Sequence, residues 1–286
     1  DYVCASRKEL DMVYHFELAS RARYSISPEF FRNVQKNWAG VMAHNAWPVQ
    51  FMSNHDTARQ VSCYGCDSPE YRKISAKLLA ALIHTTPGTP FIYQGEEIGM
   101  VNVKYDTIED YNCCYTKGDY HSMVSLGATP QEALEALAPR SRDNARTPYQ
   151  WDASENAGFT TGKPWIKVNP KYPQINLAED RESKDSIFAF YQELTKMRRE
   201  EPAIIDGDLQ FLLEDHEDLI VYLRRCARQT LLIVANKSGK TVPFPMPEEL
   251  KGNLWERKLT NLADTEPALE TGRSLLPWEL EIYELA

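Results

Sequence analysis

Short apolar runs that end in polar residues alternate with helical patterns along the first part of the chain. The runs are rich in β-branched and aromatic residues, and they span residues 10–17, 47–52 and 90–93. Two helical patterns lie between them, and they open with Ser27-Pro28 and with Ser68-Pro69. Serine is a preferred helix N-cap, and proline is favoured at the first helical position. Strand-then-helix units of this kind predict an α/β fold with a parallel sheet, either open or closed into a barrel.

The sequence pattern changes after a long helical pattern at residues 183–200. Short β-prone runs separated by turns follow it, at residues 209–213, 219–224, 231–235, 241–244, 255–259 and 280–285. This pattern predicts a small antiparallel β domain. We place the boundary between the two units near Pro202 to Gly207, which divides the chain into residues 1–204 and 205–286.

Residues 98–173 show little periodicity apart from a short helical stretch at 131–137. A long segment with so little regular structure in a compact protein is usually functional or disordered. Its many tyrosines and tryptophans argue against disorder, because disordered segments are poor in aromatic residues. We therefore expect an ordered, functional loop.

Composition excludes several classes of partner. The chain has 286 residues with 43% hydrophobic residues, and its net charge of -9 argues against nucleic acid. No apolar run is long enough to span a membrane. Six cysteines are too few for a disulfide scaffold, and Cys63 and Cys66 have no second pair to complete a zinc site. We predict free thiols, a cytoplasmic location, and neither metal nor cofactor.

Candidate chemistry begins where the second apolar run ends, at Asn54-His55-Asp56. The carboxyl ends of parallel strands are where α/β folds place their chemistry. His55 and Arg59 could act as donors that hold the Asp56 carboxylate ionised. The alternative is structural, since Asn and Asp are also favoured helix N-caps. The residues themselves leave both interpretations open.

Two other pairs of charged residues are candidates. Arg142 and Arg146 lie four positions apart, so one helical turn would point both guanidinium groups the same way, toward vicinal hydroxyls or a carboxylate. A salt-bridged loop anchor is the alternative. Glu96 and Glu97 are adjacent at the end of the third run, so as strand residues they would point to opposite sides and could not straddle one bond. We interpret that glutamate pair as structural.

Several longer motifs resemble a known family. They are residues 7–13 before Phe16-Glu17, residues 53–56, residues 86–100 (TPGTPFIYQGEEIGM), residues 142–151 (RDNARTPYQW) and residues 276–279 (LPWE). In this order and spacing they resemble the C-terminal part of an α-amylase-superfamily enzyme, glycoside hydrolase family 13, of the oligo-1,6-glucosidase and α-glucosidase group. The resemblance covers nearly the whole chain.

The resemblance implies the second half of a (β/α)₈ TIM barrel, strands about 6 to 8, followed by a C-terminal antiparallel β-sandwich domain. It implies a retaining glucosidase that acts on a short α-glucan or disaccharide. Asp56 matches the family's transition-state stabiliser, and His55, Arg142 and Arg146 match residues that bind the terminal glucose. The nucleophilic Asp and the acid/base Glu of the family would lie before Asp1.

Several departures leave the substrate open. Thr57-Ala58 stand where Gln-Pro is common, Cys63 stands where Arg is frequent, and residues 18–23 lack the usual acidic run. Trehalose 6-phosphate and sucrose are therefore alternatives to α-1,6- and α-1,4-linked substrates. A non-catalytic sugar-binding or interaction module is the alternative outside the enzyme class. We expect the chain alone to be inactive, and to self-associate or to pair with the missing half of the barrel.

Overall fold

The N-terminal unit is built on a small parallel sheet. The computed structural model describes residues 2–3, 6–7, 9–19, 25–42, 46–263 and 268–286. Strands β1 (Val13–Tyr14), β2 (Pro48–Gln50) and β3 (Thr89–Pro90) lie side by side in that order, all parallel. The central strand places Val49 opposite both Tyr14 and Thr89. The predicted parallel sheet is confirmed.

The strands are shorter than the apolar runs that predict them. The difference in length is largest at β1, where a run of residues 10–17 contains only the two-residue strand. At β3 the position differs as well, and the predicted span of 90–93 is wrong because the ladder ends at Pro90. Proline has no N–H to donate, so it cannot continue the pairing in the middle of a sheet. Phe91 still donates its N–H to the Gln50 carbonyl at 2.9 Å, and the chain then leaves the sheet.

Helices α1 (Pro28–Met42), α2 (Gln60–Tyr64) and α3 (Arg72–Thr85) follow the strands. The start of α1 is as predicted, because Ser27 Oγ accepts the N–H of Phe30 at 3.1 Å. The start of α3 is not at Pro69. The Ser68 carbonyl accepts the N–H groups of Tyr71 at 3.1 Å and of Arg72 at 2.9 Å, so a turn is completed before the helix begins.

The segment 98–173 contains more helix than its sequence pattern predicts. It holds α4 (Cys114–Ser125), α5 (Pro130–Leu137) and the single turn α6 (Asp143–Arg146). The prediction of α5 is confirmed, and Thr129 and Glu132 form a capping box at its start. Helix α4 has no apolar stripe, because Thr116 is its only buried residue among those described. A helix exposed on nearly all sides leaves no periodic signal.

The last helices of the unit are α7 (Leu177–Glu182), α8 (Ile187–Glu200) and α9 (Pro202–Asp206). The predicted helix 183–200 therefore begins four residues late. Asp180 accounts for the break, since its carboxylate accepts the Ser186 hydroxyl and the Phe188 N–H, both at 2.9 Å. The predicted apolar stripe of α8 is confirmed, with these residues buried: Ile187, Phe190, Tyr191, Leu194 and Met197.

The C-terminal unit is an antiparallel sheet, as predicted. Its strands are β4 (Asp208–Leu212), β5 (Leu219–Cys226), β6 (Gln229–Asn236), β7 (Val242–Pro243), β8 (Trp255–Thr260), β9 (Ser274–Leu275) and β10 (Leu280–Leu285). The main sheet has the order β4-β5-β6-β10-β8, and β7 pairs with β9 separately. Of these strands, only the two-residue β9 lacks a counterpart in the sequence prediction.

The main antiparallel sheet is buried on both faces. In β5, Ile220 and Tyr222 belong to the core that also contains residues of α3 and α8, whereas Leu219 and Val221 pack on the opposite side. This explains why β5 reads as a continuous apolar run rather than an alternating one. A hydrogen bond of 2.6 Å between the hydroxyls of Tyr222 and Thr85 joins the two units inside the core. The sheet thus packs against α3 and α8 of the N-terminal unit.

Candidate functional site

An open cavity of about 440 Å³ lies at the carboxyl ends of the parallel strands. One wall is aromatic: the Tyr14 ring lies 5.3 Å from Phe51 and 5.2 Å from Phe91, both edge-on. The other wall is polar and contains His55 and Asp56. A cavity with apolar walls and a few convergent polar groups is the usual form of a small-molecule site.

The polar wall is a tight turn and not a helix cap. Asn54 Oδ1 accepts the N–H of Asp56 at 2.7 Å, and Thr57 Oγ1 accepts the N–H of Asn54 at 2.9 Å. Helix α2 begins only at Gln60, and its N-cap residue, Arg59, makes no side-chain cap bond. The helix-cap alternative is therefore wrong. The turn projects His55 and Asp56 at the edge of the cavity.

Two arginines meet on one oxygen of Asp56. Arg146 Nη2 donates to Asp56 Oδ1 at 2.7 Å, and Arg142 Nε lies 3.2 Å from the same oxygen. Arg146 Nε also donates to the His55 carbonyl at 2.8 Å. The four-residue spacing does direct both guanidinium groups to one place, and what they contact is a carboxylate. We call Asp56, Arg142 and Arg146 the arginine clamp.

The second oxygen of Asp56 faces the exposed imidazole. His55 Nε2 lies 3.7 Å from Asp56 Oδ2, beyond ordinary hydrogen-bond length. The clamp therefore fixes the orientation of the carboxylate through Oδ1 and leaves Oδ2 facing the His55 imidazole. Such an arrangement can hold a fixed negative charge against a ligand without reorganisation.

Arg59 does not act as a donor to Asp56, and that interpretation is wrong. Arg59 is 2% exposed, and its guanidinium donates to the carbonyls of Gln94 at 2.6 Å, Asn144 at 2.9 Å and Ala145 at 3.2 Å. Burial lowers the pKa of Arg59 from its ordinary value. This arginine is part of the scaffold beneath the clamp.

Two tyrosines of the site are not predicted from the sequence. The Tyr115 ring, half exposed on α4, lies 4.5 Å from the Arg142 guanidinium carbon. Tyr93 lines the cavity and donates its hydroxyl to the Ala145 carbonyl at 3.0 Å. An aromatic residue at the end of the third apolar run is a usable signal for Tyr93. Tyr115 has none, because α4 has no helical periodicity.

Glu96 and Glu97 lie in a 3₁₀ turn (Glu96–Ile98), so the prediction that they are strand residues pointing to opposite sides is wrong. Glu96 is bonded to the Ser53 hydroxyl, and burial raises its pKa to about 8. Glu97 accepts the Gly95 N–H at 2.8 Å and the hydroxyl of Tyr149. The two carboxylates have different partners within the fold, which agrees with a structural role.

The cysteines within the described ranges are free thiols: Cys63, Cys66, Cys113, Cys114 and Cys226. Cys4 lies outside the described residues. Burial raises the pKa of the Cys63 thiol to about 11, which disfavours the thiolate that binds metals. Among the described residues no cluster of His, Cys, Asp or Glu is placed to hold a metal ion, and no helix there is long and apolar enough to cross a membrane.

A parallel β/α unit with polar strand ends around an aromatic cavity and a fixed carboxylate has the architecture of an α/β enzyme site. Residues 1–207 match the family model of the alpha-amylase catalytic domain. The chain belongs to the α-amylase family.

Relatives within the family are similar to this chain in sequence and in structure over nearly its whole length. The oligo-1,6-glucosidase of Parageobacillus thermoglucosidasius is 38% identical over 99% of this chain and 52% of its own length. The crystal structure of Bacillus licheniformis trehalose-6-phosphate hydrolase superposes with a TM-score of 0.93 at 36% identity, over 100% of this chain and 53% of that one. Trehalulose synthase from Pseudomonas mesoacidophila MX-45 superposes with a TM-score of 0.90 at 37% identity, over 100% and 52%. The chain thus spans about half the length of the relatives it matches.

Proposed function

We propose that this chain is the C-terminal half of a retaining α-glucosidase that hydrolyses terminal α-glucosidic bonds of short oligosaccharides. The observation that carries the proposal is the arginine clamp, which fixes one oxygen of Asp56 at the edge of an aromatic cavity. Membership of the α-amylase family and 38% identity to an oligo-1,6-glucosidase support it.

Asp56 is the transition-state stabiliser in this proposal. Its free oxygen, Oδ2, accepts hydroxyl groups of the terminal glucose, and these bonds strengthen as the ring distorts toward an oxocarbenium ion. His55 donates to the same sugar. Arg142 and Arg146 orient the carboxylate and close the end of the pocket around the glucose. Both arginines contact Asp56 Oδ1, and a carboxylate held in this way needs no reorganisation at the moment of reaction.

The bond-breaking groups belong to the part of the enzyme that precedes this chain. There, one carboxylate attacks the anomeric carbon while a carboxylic acid protonates the leaving oxygen, and water then hydrolyses the glucosyl intermediate. On this proposal residues 1–204 are the second half of a (β/α)₈ barrel, and residues 205–286 are the β-sandwich domain. Within the described residues the outer edges of β1 and β3 have no strand beside them, and the ring of Phe16 is exposed. Both features support a barrel completed by other strands.

The substrate within the family is the finer part of the proposal. An α-1,6-linked disaccharide is our first choice, and trehalose 6-phosphate and sucrose are the alternatives. The relatives include a trehalose-6-phosphate hydrolase, and a mutant of trehalulose synthase was crystallised with its substrate sucrose. Thr57 and Cys63 follow the site in the chain and are candidates for the residues that determine substrate preference. The departure from the family pattern at residues 18–23 lies partly outside the described residues, which omit 20–24. The free thiols of the described cysteines support a reducing, cytoplasmic location.

An assay of p-nitrophenyl α-glucoside hydrolysis tests the proposal. The chain alone should show no turnover, and the whole enzyme should be active, with isomaltose preferred over maltose, trehalose 6-phosphate and sucrose. Asp56→Asn in the whole enzyme should lower kcat by about 100-fold or more, the scale of losing one fixed electrostatic stabiliser. Asp119→Asn, on the exposed surface of α4, is the control that should keep full activity. Asp56-dependent turnover by the chain alone, or an inactive whole enzyme, would refute the proposal.

A further inference from the structure

The turn that carries Asp56 and the short helix α6 are bonded to each other in both directions. From the turn, Arg59 Nε donates to the Asn144 carbonyl at 2.9 Å and Nη2 donates to the Ala145 carbonyl at 3.2 Å. From α6, Arg146 donates to Asp56 Oδ1 at 2.7 Å and to the His55 carbonyl at 2.8 Å. The two segments are far apart in sequence, yet they form one hydrogen-bonded unit.

Helix α6 needs such support because it is a single turn. A helix leaves its last four carbonyl groups without partners inside the helix, and one turn alone is too short to be stable in water. Thr147 donates to the Asp143 carbonyl at 3.0 Å, so the next two carbonyls, of Asn144 and Ala145, depend on groups from elsewhere. Arg59 supplies a cation with several donors at that end, where the helix dipole also favours positive charge.

We propose that Arg59 is the positioning residue of the site: its buried guanidinium holds α6 so that Arg142 and Arg146 meet on one oxygen of Asp56. The importance of this role for catalysis rests on the proposed function, whereas the contacts of Arg59 do not. Tyr93 assists, because its ring lies 5.7 Å from the Arg59 guanidinium carbon and its hydroxyl donates to the Ala145 carbonyl at 3.0 Å.

The geometry requires arginine rather than lysine. Arg59 donates in two directions, to α6 and to the Gln94 carbonyl at 2.6 Å, and that second bond ties α6 to the segment after β3. A planar guanidinium presents its donors as a rigid fork, whereas an ammonium group is a point charge on a flexible stem. Lysine at position 59 would keep the charge and lose the simultaneous contacts.

The test compares Arg59→Lys with Arg224→Lys in the chain as it is. Arg224 is a matched control, since it is 1% exposed and its guanidinium also donates to three backbone carbonyls, those of Thr85, Ile204 and Gly207, away from the site. We would measure amide hydrogen exchange by mass spectrometry, together with phenylglyoxal modification at Arg142 and Arg146. Exchange reports local opening, and phenylglyoxal reports whether each guanidinium is held.

We expect Arg59→Lys to raise exchange at residues 144–147 and modification at Arg142 and Arg146 by about tenfold, the factor for losing one hydrogen bond to a charged group. Exchange in β5 and β6 should stay unchanged. Arg224→Lys should raise exchange in β5 and β6 and leave exchange at residues 144–147 and modification at Arg142 and Arg146 unchanged. Unchanged exchange at 144–147 in Arg59→Lys, or an increase equal to that in Arg224→Lys, would overturn the proposal.

Two further variants separate positioning from general destabilisation. Arg59→Ala should lose protection at 144–147, and guanidinium ion added well below denaturing concentrations should restore it in part. If Arg59→Ala does not fold, Tyr93→Phe removes only one bond to the Ala145 carbonyl and should raise exchange at the same residues by a smaller factor. Absence of both effects counts against the proposal. None of these readouts uses activity, so a failed glucosidase assay would refute the proposed function without changing the outcome for Arg59.

Discussion

At the scale of single residues, Glu96 links the stability of the fold to pH. Burial raises its pKa to about 8, from an ordinary value of 4.5. Between these two values the unfolded chain has ionised the carboxyl while the folded chain keeps its proton. Stability should therefore fall as pH rises through this window, by an amount on the order of a few kcal/mol. Glu96→Gln keeps the shape of the side chain and a bond to Ser53, and it should remove this part of the dependence of the unfolding free energy on pH.

Urea unfolding at about pH 5 and about pH 8 measures the effect. Relative to the unmodified chain, Glu96→Gln should lose less stability between the two pH values. Glu193→Gln, on the exposed face of α8, should behave like the unmodified chain. Equal losses for both variants would show that Glu96 is ionised in the fold at neutral pH.

The sequence predicts those contacts of the site that are made between charged side chains. The spacing of Arg142 and Arg146 correctly predicts that their guanidinium groups meet, and the place of Asp56 after a strand correctly predicts that it lies at the carboxyl end of the sheet. The sequence assigns Arg59 the wrong partner because its contacts are backbone carbonyls 35 to 86 residues away along the chain. Backbone carbonyls occur at every position, so no residue pattern identifies which of them a buried arginine will bind.

At the scale of elements, the turn after β3 depends on Gly95. Its φ of 95° lies in the left-handed region, and a Cβ there would be 2.8 Å from Arg59 Nη1 and 2.5 Å from Met100 Sδ. Gly95→Ala should cost more than about 1 kcal/mol of unfolding free energy, because alanine avoids this conformation and must displace both side chains. It should also raise exchange at residues 144–147 through Arg59.

Gly118→Ala is the matched control for that substitution. Gly118 lies inside helix α4 with nothing within 4 Å of its added Cβ. Alanine is the better helix former, so this variant should gain about 0.5–1 kcal/mol. Thermal unfolding of both variants checks the pair, and a neutral Gly95→Ala would mean that the turn relaxes freely.

Prediction of elements succeeds where an element buries at least one face. Helix α8 is found because its apolar residues recur at a fixed period, and β5 is found because both of its faces are buried, which gives a short continuous apolar run. Helix α4 is missed because it lies on the surface, and β3 is misplaced because Pro90 ends a run whose aromatic residues continue beyond it. Those residues, Phe91 to Tyr93, line the cavity instead of extending the sheet.

At the scale of the whole molecule, the described part of the fold is packed on one side and exposes apolar side chains on the other. The antiparallel sheet covers α3 and α8 and shares their core. The parallel sheet, in contrast, exposes apolar side chains at its carboxyl end, with Phe16 60% and Ile92 45% exposed. Exposed apolar side chains beside strand edges that have no neighbouring strand among the described residues are a feature of association surfaces.

We therefore expect the isolated chain to associate with itself, and the exposed face of the parallel sheet to be responsible. The mean mass from light scattering should rise with protein concentration, and Phe16→Ser combined with Ile92→Ser should reduce that rise. Leu126→Ser is the control, because Leu126 is 87% exposed but lies after α4, away from the sheet.

The natural cover of this face can be tested in the same measurement. If the preceding half of the barrel covers this face, adding that half as a separate chain should suppress self-association of the unmodified chain. It should not suppress self-association of a variant that cannot bind the added half. A monomer at all concentrations with a sharp unfolding transition would contradict the expectation, because it would mean that the open edges and the apolar face are tolerated in water.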